Sequence, residues 1–173
     1  MTNKINIGQA LQGIGNIGVI LGIAFLAVEV RESTKATRAG VIDNYQNRWV
    51  ELDLSLQNAA LAGAWAKAIE HPEELTTAEI LQLNGYMWSF YDHLETLRIM
   101  TNLGVSIEPG HTVELVIRIN AHHFFGNEYG QAWFAENRTR MHPLISNLID
   151  SRMDAVAGQN REFIENIRTH IRE

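Results

Sequence analysis

A chain of 173 residues with 46% hydrophobic and 20% charged residues has the composition of one folded domain, not of a disordered tail. Cysteine is absent, which excludes disulfides, thiolate metal sites and a cysteine nucleophile. The net charge of −6 is uneven: through Gly40 the balance is +2, leaving −8 for the remainder, and an acidic body without clustered Lys and Arg is not a nucleic-acid binder.

The first element is the run "GNIGVILGIAFLAVEVRESTK". No charge occurs across residues 5–28, a stretch of 24, and a membrane-spanning helix needs roughly 20 apolar residues. Asn6, Gln9, Gln12 and Asn16 dilute its outer end; residues 14–30 are the strongest part. A cleaved signal peptide needs a basic start and a small-residue cleavage site, and Lys4 with "FLAVEVRES" supplies neither. A helix buried in a water-soluble core is the other alternative. The abrupt collar of Arg31, Lys35 and Arg38 favours a span with these cations as interface anchors. The positive-inside rule then puts the C-terminal part in the cytoplasm. Gly15, Gly18 and Gly22 share one helix face, and Gly18–Gly22 is a GxxxG step. That face is expected to pack against a second helix, from another copy or a partner membrane protein.

Beyond the collar, Ile42, Tyr45, Trp49, Leu52 and Leu56 recur at steps of three and four, predicting a helix that prolongs the first. Leu61, Ala64, Trp65, Ala68 and Ile69 predict a short helix stopped by Pro72. Thr76-Thr-Ala-Glu79 is a capping box, opening a helix over residues 76–102 with Ile80, Leu83, Met87, Tyr91, Leu94 and Leu97 on its apolar face. Gly104 supplies its stop. "EPGH" is a turn. "TVELVIRINAHHFF" alternates like a strand through Val113, Leu115, Ile117 and Ile119, yet Val113, Val116, Ile117 and Phe124 suit a helix; with no second strand to pair with, helix is chosen. Gly126 and Gly130 bracket a break before a helix in "QAWFAENRTRM". Pro143 opens another, with Leu144, Leu148, Ile149 and Met153 apolar, ending near Gly158. The tail is amphipathic through Phe163, Ile164, Ile167 and Ile171. The expected fold is therefore all-α: a transmembrane helix over residues 1–32, continuing into an antiparallel helical bundle over residues 33–173.

The segments "LAVEVRESTKATRAG", "AGAWAKAIEHPEELTTAEI", "WSFYDHLETLRIMTNLG" and "GQAWFAENR" together resemble a group of uncharacterised small bacterial membrane-anchored helical proteins. The resemblance implies a bacterial source, hence the inner membrane, an N-terminal membrane helix and an all-helical remainder. It implies no active site.

Chemistry is sparse. A di-metal carboxylate bundle needs paired Glu-x-x-His units on helices, and only Glu108-Pro-Gly-His111 matches, on a turn. His93, Glu95 and His122, facing one another between helices, are the remaining metal or ligand candidates, beside the plainer reading of ordinary surface or core histidines. No G-x-S-x-G occurs, and "GIGNIG" lacks the strand before it and the acidic residue after it that a dinucleotide site needs. Trp49, Trp65, Trp88 and Trp133 sit at helical spacing and read as core. No catalytic residue and no cofactor is assigned. The expected function is a membrane-anchored interaction or scaffold protein that self-associates; the alternative is a bundle that binds a metal or small ligand, or acts as an enzyme, through its histidines.

Overall fold

The computed structural model describes the backbone from Ile7 to Arg172 and side chains from Asn16 onward. Among the described residues every regular element is helical: α1 (Ile7–Ser55), α2 (Ala59–Glu70), α3 (Thr77–Asn102), α4 (Val113–Phe125), α5 (Glu128–Asn137), α6 (Pro143–Val156) and α7 (Gln159–Arg172), with 3₁₀ turns at Pro72–Glu74 and Arg138–Arg140. The chain divides into two units, Met1–Val41 and Ile42–Glu173.

In the first unit, the large apolar side chains between Ile17 and Val30 are all exposed. Ile17, Val19, Ile20, Leu21, Ile23, Phe25, Leu26, Val28 and Val30, placed by about 100° per residue, cover the helix except for the strip that holds Gly18, Gly22 and Glu29. Among the described residues no helix is long and apolar enough to cross a membrane. The outer part of the charge-free stretch, residues 5–15, has side chains outside the described residues.

In the second unit, local sequence rules set the helix ends. The Asn58 side chain accepts from the amides of Ala60 and Leu61 at the start of α2. At α3 the expected capping box is present: Thr76 Oγ1 accepts from Glu79 N at 3.3 Å, and Glu79 Oε2 accepts from Thr76 N at 2.8 Å. Lys67 Nζ donates to the same carboxylate at 2.7 Å, and with these donors Glu79 is held down to about 2. α3 closes in a Schellman turn: Val105 N donates to Met100 O, Gly104 N donates to Thr101 O, and Gly104 takes φ +69°.

α3 is the centre of the core. Leu83, Met87, Phe90, Leu94 and Leu97 are buried, and the Phe90 ring stacks on Phe124 of α4 at 3.7 Å. The buried face differs from the expected one: Ile80 is exposed and Tyr91 half-buried, while Tyr86, Phe90 and His93 are inside. With α4 against one flank and α2 against the other, the face of α3 that carries aromatic rings fills the space between them. α4 is a helix, as chosen; its buried residues Val113, Val116, Ile117, Ala121, Phe124 and Phe125 follow helical steps, and Ile119, which the strand pattern would bury, is exposed. α5 begins at Glu128, so Gly130 lies inside the helix and does not bound it. In α6 the inward residues are Ile145 and Ile149, with Leu144 exposed.

Candidate functional site

The last turns of α1 (residues 42–55, within the second unit) present Tyr45, Trp49 and Leu52 on the predicted face. This stripe lies against α3 at His93. The His93 ring is 4.0 Å from that of Tyr45 and 4.4 Å from that of Trp49, tilted against both. Its side chain is almost wholly inside, at 3% exposure, and neither ring nitrogen has a hydrogen-bond partner. Burial lowers its pKa to about 4, helped by the facing charges of His111 and Arg48. At neutral pH it is therefore an uncharged imidazole, one donor and one acceptor, held between two aromatic faces. A buried polar atom without a partner costs about 1–3 kcal/mol, so the position is held against stability.

Next to it, Tyr45 Oη lies 3.2 Å from His111 Nε2. The other His111 nitrogen faces Glu108 at 3.8 Å, beyond hydrogen-bond reach. Burial also raises the Tyr45 phenol well above its usual range. Two cavities flank this segment of α1. One, of about 450 Å³, is walled by Arg48, Glu51, Gln82, Asp92 and His93. The other, of about 610 Å³, is walled by Tyr45, Trp49, Ile107, His111 and Ile119 and is the more apolar. Ser55 and Ser89, which also reach the first cavity, donate their hydroxyls to carbonyls of their own helices, at Leu52 and Gly85. The arrangement holds a neutral imidazole closed between two aromatic rings, and neither serine hydroxyl is paired with a base.

The candidate set is not brought together. Glu95, two positions from His93 on α3 and so about 200° round the helix, is bound by Arg98, whose Nε donates to it at 2.9 Å, and this holds the carboxyl below its usual range. His122 lies near Phe163 of α7, at 6.4 Å between rings. Among the described residues, the one trio of His and carboxylate groups with all donor atoms within 4.8 Å of one another is His71, Glu73 and Glu74, fully at the surface. The residues that surround His93 instead are Tyr45, Trp49, Arg48 and His111. The Tyr45–Trp49 step was readable as a core stripe, but nothing in the sequence aligned it with His93 or folded residues 105–111 back onto it.

His123 is the second inward histidine. Its Nε2 is 3.1 Å from Tyr86 Oη, its ring lies 5.3 Å from Trp65, and burial lowers its pKa to about 4. Of the glycine-face residues, Gly18 and Gly22 have open space where a Cβ would stand, while the surroundings of Gly15 lie outside the described residues. Arg31 and Arg38 are exposed, and Lys35 donates to Glu32 at 2.7 Å across the surface. Comparison with protein-family models, with curated proteins and with solved structures finds no match.

Proposed function

We propose that this chain is a membrane-anchored helical interaction protein that associates with copies of itself in the bacterial inner membrane, with the second unit on the cytoplasmic side. One observation carries the reading: from residue 17 to 28, α1 carries no polar side chain on any face, and every large apolar side chain is exposed. A helix apolar all round needs an apolar surrounding, either lipid or other protein. Its backbone polar groups are satisfied within the helix, as a span requires. The proposed span draws on residues 5–30, and its outer end therefore rests on sequence alone. Arg31, Lys35 and Arg38 supply the interfacial cations, and open Gly18 and Gly22 supply a face on which a second backbone can approach closely.

The test is membrane fractionation of the full chain with an alkaline carbonate wash and a C-terminal reporter. Retention in the washed membrane with a cytoplasmic reporter supports the anchor; release by the wash assigns the apolar helix to the core of a water-soluble oligomer. Crosslinking in the membrane then reads self-association, which Gly18→Leu with Gly22→Leu is expected to abolish.

A second reading rests on His93. It helps to wall a cavity of about 450 Å³ whose other residues, Arg48, Glu51, Gln82 and Asp92, favour recognition of a small polar molecule by the second unit. A thermal-shift panel of small polar molecules tests it: a ligand of this site raises the midpoint of the wild type and not of His93→Phe.

A further inference from the structure

The last turns of α1, residues 42–55, are fastened to the rest of the second unit by side chains. Tyr45 and Leu52 are buried along one stripe, and Ile42 and Trp49 are half-buried beside them. Among the described residues, one hydrogen bond ties these turns to a residue distant in sequence, Tyr45 Oη to His111 Nε2 at 3.2 Å. No ion pair among the described residues includes residues 42–55. Two histidines meet the same tyrosine. His93 of α3 lies against its ring at 4.0 Å, and His111 meets its edge with ring centres 5.8 Å apart.

His93 has no room for a second proton. Both of its nitrogens are closed to water and have no partner, and the Trp49 ring lies on it at 4.4 Å. A proton, and the water or acceptor that an imidazolium needs, can reach it only when the rings part. The charges around it do not compensate. From α1, Arg48 faces it with positive charge, and from the turn before α4 His111 acts in the same sense. Glu108 stands on the far side of His111, 3.8 Å from its Nδ1. The buried residues of α4 are all uncharged. Glu51 of α1 and Asp92 of α3 stand exposed on the wall of the neighbouring cavity, and neither bonds to the ring. A protonated His93 and a closed seam therefore exclude each other.

The two sides of the seam are held unequally. α3 is sealed into the bundle by Leu83, Met87, Phe90, Leu94 and Leu97, with Phe90 stacked on Phe124. Residues 42–55 have only their stripe, so they open with less apolar surface exposed. His123 provides an internal control. It is also turned inward, but it lies among Trp65 of α2, Tyr86 of α3 and Phe124 of α4, and its Nε2 is bonded to Tyr86 Oη.

We propose that the seam between residues 42–55 of α1 and α3 is an acid-released latch: proton uptake at His93 frees Tyr45 and Trp49 while α2, α3 and α4 stay packed. The experiment is amide hydrogen exchange of the full chain at a series of pH values, each corrected for the intrinsic exchange rate. A histidine that titrates at 6.5 when open and at about 4 when closed increases opening roughly tenfold to hundredfold between neutral pH and about pH 4.5. Protection of residues 42–55 is expected to fall by that factor in the wild type, while that of residues 83–97 is retained. His93→Phe is expected to keep the seam closed over the same range, and His123→Phe to open like the wild type. Should His93→Phe not fold, His93→Gln, which takes up no proton, replaces it. Loss of protection in residues 42–55 and 83–97 together overturns the proposal, and so does a seam that opens at the same pH without His93. A wild-type seam that stays closed at about pH 4.5 overturns it as well.

Discussion

Residues 17–30 of α1 and the whole of α3 both carry many large apolar side chains, yet the structure treats them in opposite ways. On α3, Leu83, Met87, Phe90, Leu94 and Leu97 are sealed on one side while Ile80, Leu81 and Ile99 face outward. On the first stretch there is no inner side: each large apolar residue is exposed by more than half. Apolar content states how much surface must leave water; periodicity states whether a protein core of one-sided helices can take it. α3 has the period of a bundle helix. Residues 17–30 lack it, which is why the same driving force seals one face of α3 and leaves this stretch exposed, the stretch that the proposed function assigns to lipid or a second helix.

The contrast can be broken from either side. The largest effects come from each region's own apolar interior. Phe90→Ala opens the stacked centre of the bundle and is expected to cost about 3–5 kcal/mol, read as loss of cooperative unfolding or a lowered denaturant midpoint. Membrane retention should survive it, because the anchor draws nothing from that core. Leu21→Arg should do the reverse, at about 2.5–3.5 kcal/mol for a charge near the middle of a span: carbonate-resistant retention falls while the circular-dichroism melt of the bundle is unchanged. Should Leu21→Arg leave retention intact, the lipid reading of that helix fails.

A smaller effect sharpens the comparison inside the bundle. His93→Phe removes two unpartnered buried nitrogens from between Tyr45 and Trp49 and is expected to stabilise the second unit by about 1–3 kcal/mol in urea titrations at pH 7. The same variant tests a pH dependence. His93 titrates at about 4 in the fold against 6.5 for an unperturbed histidine, so the unfolded chain binds more protons between those values. Stability is then full above pH 6.5 and declines as pH falls toward 4. The decline should be shallower in His93→Phe, and what remains belongs in part to His123, which is lowered in the same sense. An unchanged slope would remove His93 from the account.

The smallest effect is expected at the exposed start of α3. Glu79 is held down to about 2 by Lys67 and by the Thr76 amide, against an ordinary 4.5. Its contribution is present above pH 4.5 and is lost as pH falls toward 2. Glu79→Gln should therefore show a lower thermal midpoint at pH 7 that converges with the wild type over that acidic window.

The helix ends and most helix faces were legible because they follow from contacts within a few residues. The Thr76–Glu79 box, the Gly104 stop, Pro143 at the first turn of α6 and the faces of α2 and late α1 depend on local bonds and on a period of 3.6. The rotation of the α3 face toward Tyr86, Phe90 and His93 was not legible, since it depends on where α2 and α4 come to rest against it. The proposed metal trio misled for the same reason: His93, Glu95 and His122 are the right chemical types, but Glu95 found Arg98 on its own helix and the two histidines turned to different neighbours. Only the tertiary structure decided that Tyr45 and Trp49 would close over His93, and that Asn127 would spend its oxygen on α5 and keep its amide donor without a partner. Local sequence specifies backbone hydrogen bonds and amphipathic stripes; which buried polar atoms are left over is settled by long-range packing, after every nearer partner has been claimed.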